Sequence, residues 1–149
     1  MFLNNARAPF NDIKVRQAIY YAVDRDLIND MVFGGKSHVI GTNMIPGASK
    51  YYNADTEKTY THDVEKAKQL LAEAGYPDGF TFTITVPNNY APHESTAQIL
   101  GESLAEVGIT AKINLVEFNT WHAEAYLNRN YEATVVAVDG RLAPFSWFE

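Results

Sequence analysis

Residues 9–32 read PFNDIKVRQAIYYAVDRDLINDMV, and their spacing decides how the rest of the chain can be arranged. Val15, Ala18, Ile19, Ala22 and Val23 fall at i, i+3, i+4, i+7 and i+8, one face of a 3.6-residue repeat. Asn11 is placed to cap this helix, and Asp12 suits the positive end of its dipole. Asp24 can cap a second helix over Arg25 to Val32, which Gly34-Gly35 then stops. The stretch predicts two amphipathic helices lying on a core.

The bulk composition fits one domain. A chain of 149 residues with 46% hydrophobic content can bury a core of its own. The 12 basic and 18 acidic residues give a net charge of −6, which disfavours nucleic acid, where a basic stripe must meet phosphates. No run of about 18 apolar residues is present. The absence of cysteine removes disulfides, thiolate catalysis and cysteine metal sites.

Outward from the helix pair, Phe2-Leu3-Asn4-Asn5 reads as a short entering strand. Residues 36–60 are rich in turn formers, and long connections of this kind are often functional; Asn43 and Tyr51 are the candidates there. Asp63 to Ala74 is the clearest helix, with Val64, Ala67, Leu70, Leu71 and Ala74 on one face. Gly75 supplies its left-handed terminus, and Tyr76 can fold back on Leu71. Phe80 to Val86 alternates as a strand. His93 to Val107 is a helix, Ile109 to Glu117 a strand, and Asn119 to Asn128 a short helix capped by Asn119 or Thr120. Tyr131 to Val138 is a third strand, its Val135-Val136-Ala137-Val138 run implying burial on both faces. Strand, helix, strand, helix, strand with right-handed crossovers makes an α/β fold: a central, largely parallel sheet covered by helices.

Two segments carry a family resemblance. Pro9-Phe10, Asp12, Val15-Arg16-Gln17-Ala18 and Ala22-Val23-Asp24-Arg25 resemble the most recognisable segment of the extracytoplasmic solute-binding proteins of bacterial peptide and nickel ABC importers (family 5, oligopeptide- and dipeptide-binding-like). DVEKAKQLLAEAGYPDGF, residues 63–80, is similar to a second signature of the same family. The resemblance covers about residues 5–145. It implies a periplasmic-binding-protein-like lobe, the second of two, with the first lobe and a C-terminal return segment lying outside this chain. The aromatic ending, Phe145 to Glu149, is expected to mark the edge of a longer protein. The partners implied are a peptide or other small solute, the permease subunits of an ABC transporter and the first lobe. The protein is expected outside the cytoplasm, meeting the membrane only through a lipid anchor or the permease. No cofactor and no enzymatic activity are implied.

In open α/β sheets the ligand crevice lies beyond the carboxyl ends of the strands. Those ends are Pro87 to Tyr90, Phe118 to Trp121, and Asp139 to Arg141. Asn88, Asn89 and Tyr90 offer hydrogen bonds, and Trp121 a flat apolar face. Asp139 could pair with an amino group, and Arg141 could take a carboxylate in a bidentate fork. All of these can equally be ordinary loop or capping residues. After its last strand the family often has Gly-Trp-x-Gly-Arg-x-Asp-Pro. Here Gly140, Arg141 and Pro144 match, while Val138 and Ala143 replace the Trp and the Asp before Pro. An Asp of this loop holds the ligand's amino group in peptide-binding members, which leaves Asp139 as the candidate and makes a peptide ligand less secure.

The rival expectation is a self-contained small α/β hydrolase. None of Ser37, Ser49, Ser95, Ser103 and Ser146 lies in a Gly-x-Ser-x-Gly turn, and His38, His62, His93 and His122 are scattered. No His-Glu-x-x-His zinc spacing occurs, and Gly34-Gly35 lacks the P-loop arrangement.

Overall fold

The computed structural model describes residues 1–41, 44, 46–47 and 50–137. Four strands form one sheet in the order β1-β4-β2-β3: β1 Phe2–Leu3, β2 Thr81–Pro87, β3 Thr110–Val116 and β4 Ala133–Thr134. β2 runs parallel to β3 on one side and to β4 on the other, while β1 joins β4 antiparallel. The parallel core of three strands is as expected, and β1 makes the sheet mixed.

The helix pair forms as its spacing dictates. α1 is Ile13–Ala22 and α2 is Arg25–Phe33. Val15, Ala18, Ile19 and Ala22 are buried on the inner face of α1. The cap of α1 is Asp12 rather than Asn11: its backbone is extended and its Oδ1 accepts from the Lys14 amide at 2.7 Å. Asp24 caps α2 through the Leu27 amide at 2.9 Å, and Gly34 ends it at φ +63°. Phe10, just before α1, is fully buried edge-on against Phe80 and Phe82, which fixes the helix pair to the sheet. α3, Val64–Glu73, is capped by Asp63 and packs Ala67, Leu70 and Leu71 inward beside α1. The Tyr76 amide donates back to the Leu71 carbonyl at 2.8 Å, while the Tyr76 ring goes to Phe80.

β2 is the centre of the core, with Phe82, Ile84 and Val86 buried. Its amino end leaves no room for a side chain at Gly79. That residue has φ +75°, and a Cβ there would lie 2.1 Å from the Gly108 carbonyl oxygen. This contact brings the entries of β2 and β3 together, where the Thr110 amide donates to Phe80 at 2.8 Å. α4, Ala91–Ala105, crosses between these strands and carries Pro92 in its first turn, where the missing N–H costs nothing.

Three expectations need correction. The last strand is only Ala133–Thr134, paired with Phe2–Leu3 on one side and with Ile84 and Thr85 of β2 on the other. Val135 is buried, but Val136 is half-buried and Ala137 exposed, so the run is not covered on both faces; Val138 lies outside the described residues. β3 alternates less cleanly than expected. Ile109 ahead of it is buried, while Ile113 and Leu115 are 37% and 43% exposed, because β3 is a sheet edge. The helix after it begins at Phe118, not Asn119. α5 is Phe118–Trp121, continued by a π-helical turn over His122–Leu127. Its N-cap is Glu117 and makes no side-chain cap, so neither Asn119 nor Thr120 has that role.

Candidate functional site

The carboxyl ends of β2, β3 and β4 lie side by side, as their parallel pairing requires. The loop after β2 is tied to β3 by its backbone alone, the Asn88 amide donating to the Val116 carbonyl at 2.9 Å. The side chains of Asn88 and Asn89 and the Tyr90 hydroxyl are exposed and have no hydrogen-bond partner among the described residues. Tyr90 is also the N-cap of α4 and supplies no side-chain cap; in the first turn Pro92 has no N–H, and the His93 amide donates to the Tyr90 carbonyl at 3.0 Å.

After β3 the chain raises an aromatic cluster. Phe118 stacks on Trp121 with centroids 5.8 Å apart, and His122 stacks on Tyr126 at 5.3 Å. Phe118, His122 and Tyr126 follow one another at i, i+4 spacing, which keeps their rings on one side of the helix. Phe118 and Tyr126 are 42% and 64% exposed. Trp121 is 7% exposed. Its Nε1 donates to Thr134 Oγ1 at 2.9 Å, and that hydroxyl donates to the Thr85 carbonyl at 2.7 Å. Trp121 thus ties α5 to β4 and β2, and the exposed aromatic faces belong to its neighbours Phe118 and Tyr126.

The residue that sequence reasoning missed is His93. It sits in the first turn of α4, buried, edge-on to Tyr90 at 4.9 Å. Its Nε2 accepts from the Ala137 amide at 2.9 Å, three residues past the end of β4. Burial holds its imidazole below the ordinary value of 6.5. A buried polar residue just inside a helix start is the one signal available in the sequence; its partner 44 residues on is not.

Asn88, Asn89, Tyr90 and Trp121 are therefore brought to one rim. Asp139, Gly140, Arg141 and the loop candidate Asn43 lie outside the described residues. Tyr51 is far along the 36–60 connection, with the Lys50 ammonium over its ring at 5.0 Å.

A separate cleft of about 330 Å³ opens between α1, α2, α4 and β1, lined mainly by Leu3, Ile19, Tyr20, Val23, Phe33 and Leu100. Two charged or titratable groups at its edge are engaged: Arg25 donates to the carbonyls of Tyr60, Glu57 and Ile40, and His38 pairs with Glu57 at 2.7 Å. It is distant in kind from the strand-end rim, where the side-chain hydrogen bonds are unmade. Among the described residues no group of three potential ligands could hold a metal ion.

Comparison with known proteins places this geometry in context. The model of the bacterial extracellular solute-binding proteins, family 5, middle region, matches residues 1–148. The glutathione-binding protein GsiB of Escherichia coli strain K12 is 33% identical over 122 residues, covering 82% of this chain and 23% of the relative. The chain thus spans about a quarter of the length of the curated relatives it matches. Among solved structures, the binding protein AgaA of A. tumefaciens R10, in complex with agropinic acid, superposes with a TM-score of 0.87 at 35% identity, covering 98% of this chain and 30% of that one. The periplasmic binding protein DppA of Helicobacter pylori, in complex with the peptide STSA, gives 0.83 at 30% identity, covering 95% and 27%.

Proposed function

The chain belongs to the bacterial extracellular solute-binding proteins, family 5, and from that premise we propose that it is the second lobe of a two-lobed receptor of an ABC importer. The receptor works outside the cytoplasm. It captures a peptide or related small solute and delivers it to the membrane permease. The observation that carries this reading is the family match across residues 1–148, which coincides with an α/β lobe whose unspent polar groups sit at the strand ends.

The solute lies against the rim of Asn88, Asn89, Tyr90 and the aromatic cluster around Trp121. Asp139, Gly140 and Arg141 follow β4 in sequence, and in this reading they contact the solute too, Asp139 taking a positive group and Arg141 a carboxylate. The first lobe covers the solute from the other side. Closure is a hinge motion that the solute biases by touching both lobes. The relatives' named ligands, glutathione, agropinic acid and a peptide, all carry carboxylates, which supports the role of Arg141. The hydrolase alternative gains no observation. The four histidines stand apart, at Glu57, at Asp24, at the start of α4 and in the aromatic cluster.

Calorimetry of this chain and of the full-length reading frame, with glutathione and a panel of short peptides, tests the proposal. The full-length protein is expected to bind at least one of them, and this chain alone weakly or not at all, since it owns half the contacts. Sub-micromolar affinity for this chain alone would overturn the two-lobe assignment. No binding by the full-length protein would overturn the peptide class.

A further inference from the structure

We propose that His93 is a positioning residue of the candidate site: as a neutral imidazole it holds the backbone at Ala137, and protonation of the ring releases it. The inference rests on the reading that the solute lies at the strand ends, but its chemistry is independent of which solute binds.

The geometry fixes the tautomer. The Ala137 amide can only donate, so Nε2 must present a lone pair, and the single proton of the neutral ring is on Nδ1. Nδ1 is buried and has no hydrogen-bond partner among the described residues. A buried donor without a partner is rare and unfavourable, so the ring is held here by its other nitrogen and by packing. The bond matters because β4 pairs for only two residues. Beyond Thr134 the ladder ends; the Val135 side chain still packs in the core, and the His93–Ala137 hydrogen bond then holds the backbone of the departing chain. It joins the start of α4 to the chain leaving β4, the two elements that flank the carboxyl end of β2.

A second proton must go on Nε2, which then faces another donor and loses the bond. Burial alone depresses the ring's basicity. The Tyr90 ring faces it. The charged groups on the elements that pack against α4 are Lys14 and Arg16 on α1, Arg25, Asp26 and Asp30 on α2, and Lys112 on β3, with Glu94 and Glu102 on α4 itself; none of them contributes to the shift, and β2 carries no ionisable side chain. With the folded value below 6.5, the neutral ring is favoured at pH 7. Its contribution to stability is complete above about 6.5 and is lost as pH falls through the lower folded value.

Nuclear magnetic resonance on the chain tests this without any solute. The ¹⁵N shifts of the His93 ring are expected to show the proton on Nδ1. The protection factor of the Ala137 amide is expected to fall at least tenfold in His93→Ala. In His93→Gln, whose Oε1 can replace Nε2 as acceptor, most of the protection should return. Acidification should lower Ala137 protection in the parent chain and leave His93→Gln unaffected. A proton on Nε2 at pH 8, or unchanged Ala137 protection in a folded His93→Ala variant, would overturn the proposal. If His93→Ala fails to fold, the ring shifts and the comparison with His93→Gln still decide it. A failure of the peptide panel would instead strike the solute assignment and leave these results standing.

Discussion

Two polar regions of this lobe look alike in sequence and behave differently in the fold. The connection between α2 and α3 and the rim beyond β2 and β3 are both rich in Asn, Tyr and charged residues. In the first, the polar groups bond to one another. Arg25 donates to the Tyr60 carbonyl at 2.6 Å and to Glu57 and Ile40, Glu57 accepts from Tyr52 and His38, and Asn53 caps the short 3₁₀ turn Ala54–Lys58. In the second, the side-chain amides of Asn88 and Asn89 have no partner among the described residues, and Tyr90 is half-exposed. Polar composition alone does not mark a site; hydrogen-bonding capacity left unspent at a strand end does.

The contrast can be broken by substitution. Gly79→Ala, at the closed amino end of β2, sets the upper scale. It forces a positive φ on an L-residue and drives a methyl into the Gly108 carbonyl, so urea unfolding should show a loss of about 3 kcal/mol. Arg25→Met strands three carbonyls of the α2–α3 connection and should cost about 2 kcal/mol by the same measurement. Thr134→Val removes the relay between Trp121 and Thr85 and should cost about 1 kcal/mol, with a change in Trp121 fluorescence. Asn88→Ala and Tyr90→Ala should move stability by less than about 0.5 kcal/mol, while weakening peptide binding by the full-length protein. If either proves strongly destabilising, the rim is structural and the comparison fails. Smallest is the effect of Glu57→Gln. The Tyr52 hydroxyl, and then His38, hold the Glu57 carboxyl below its ordinary 4.5. Its contribution is therefore present above about 4.5 and lost as pH falls through the lower folded value, and the variant should flatten that part of the stability–pH curve.

Much of the fold is legible locally. The 3.6-residue stripe of α1, the Asp63 cap and Gly75 stop of α3, and the alternation of β2 each depend on near neighbours in sequence. What escapes is set by distant partners. β4 is held between β1 and β2, partners distant from it in sequence. The π-helical turn after Trp121 leaves no mark on the residue pattern. Of the site, the Asn88–Tyr90 loop is legible because a strand ends there. The indole of Trp121 is committed to Thr134, and His93 to Ala137, by tertiary contacts that no local spacing encodes.

The strand order also constrains how the lobe can be made. β4 lies between β1 and β2, yet it is the last of the four described strands to leave the ribosome. Until residue 134 emerges, β1 lacks the neighbour it pairs with among the described residues. The β4-facing edge of β2 meanwhile stays open beside the most apolar part of the core. A nascent chain halted before that point carries the family's most recognisable helices and an unsealed sheet, the arrangement most prone to pairing with a second chain.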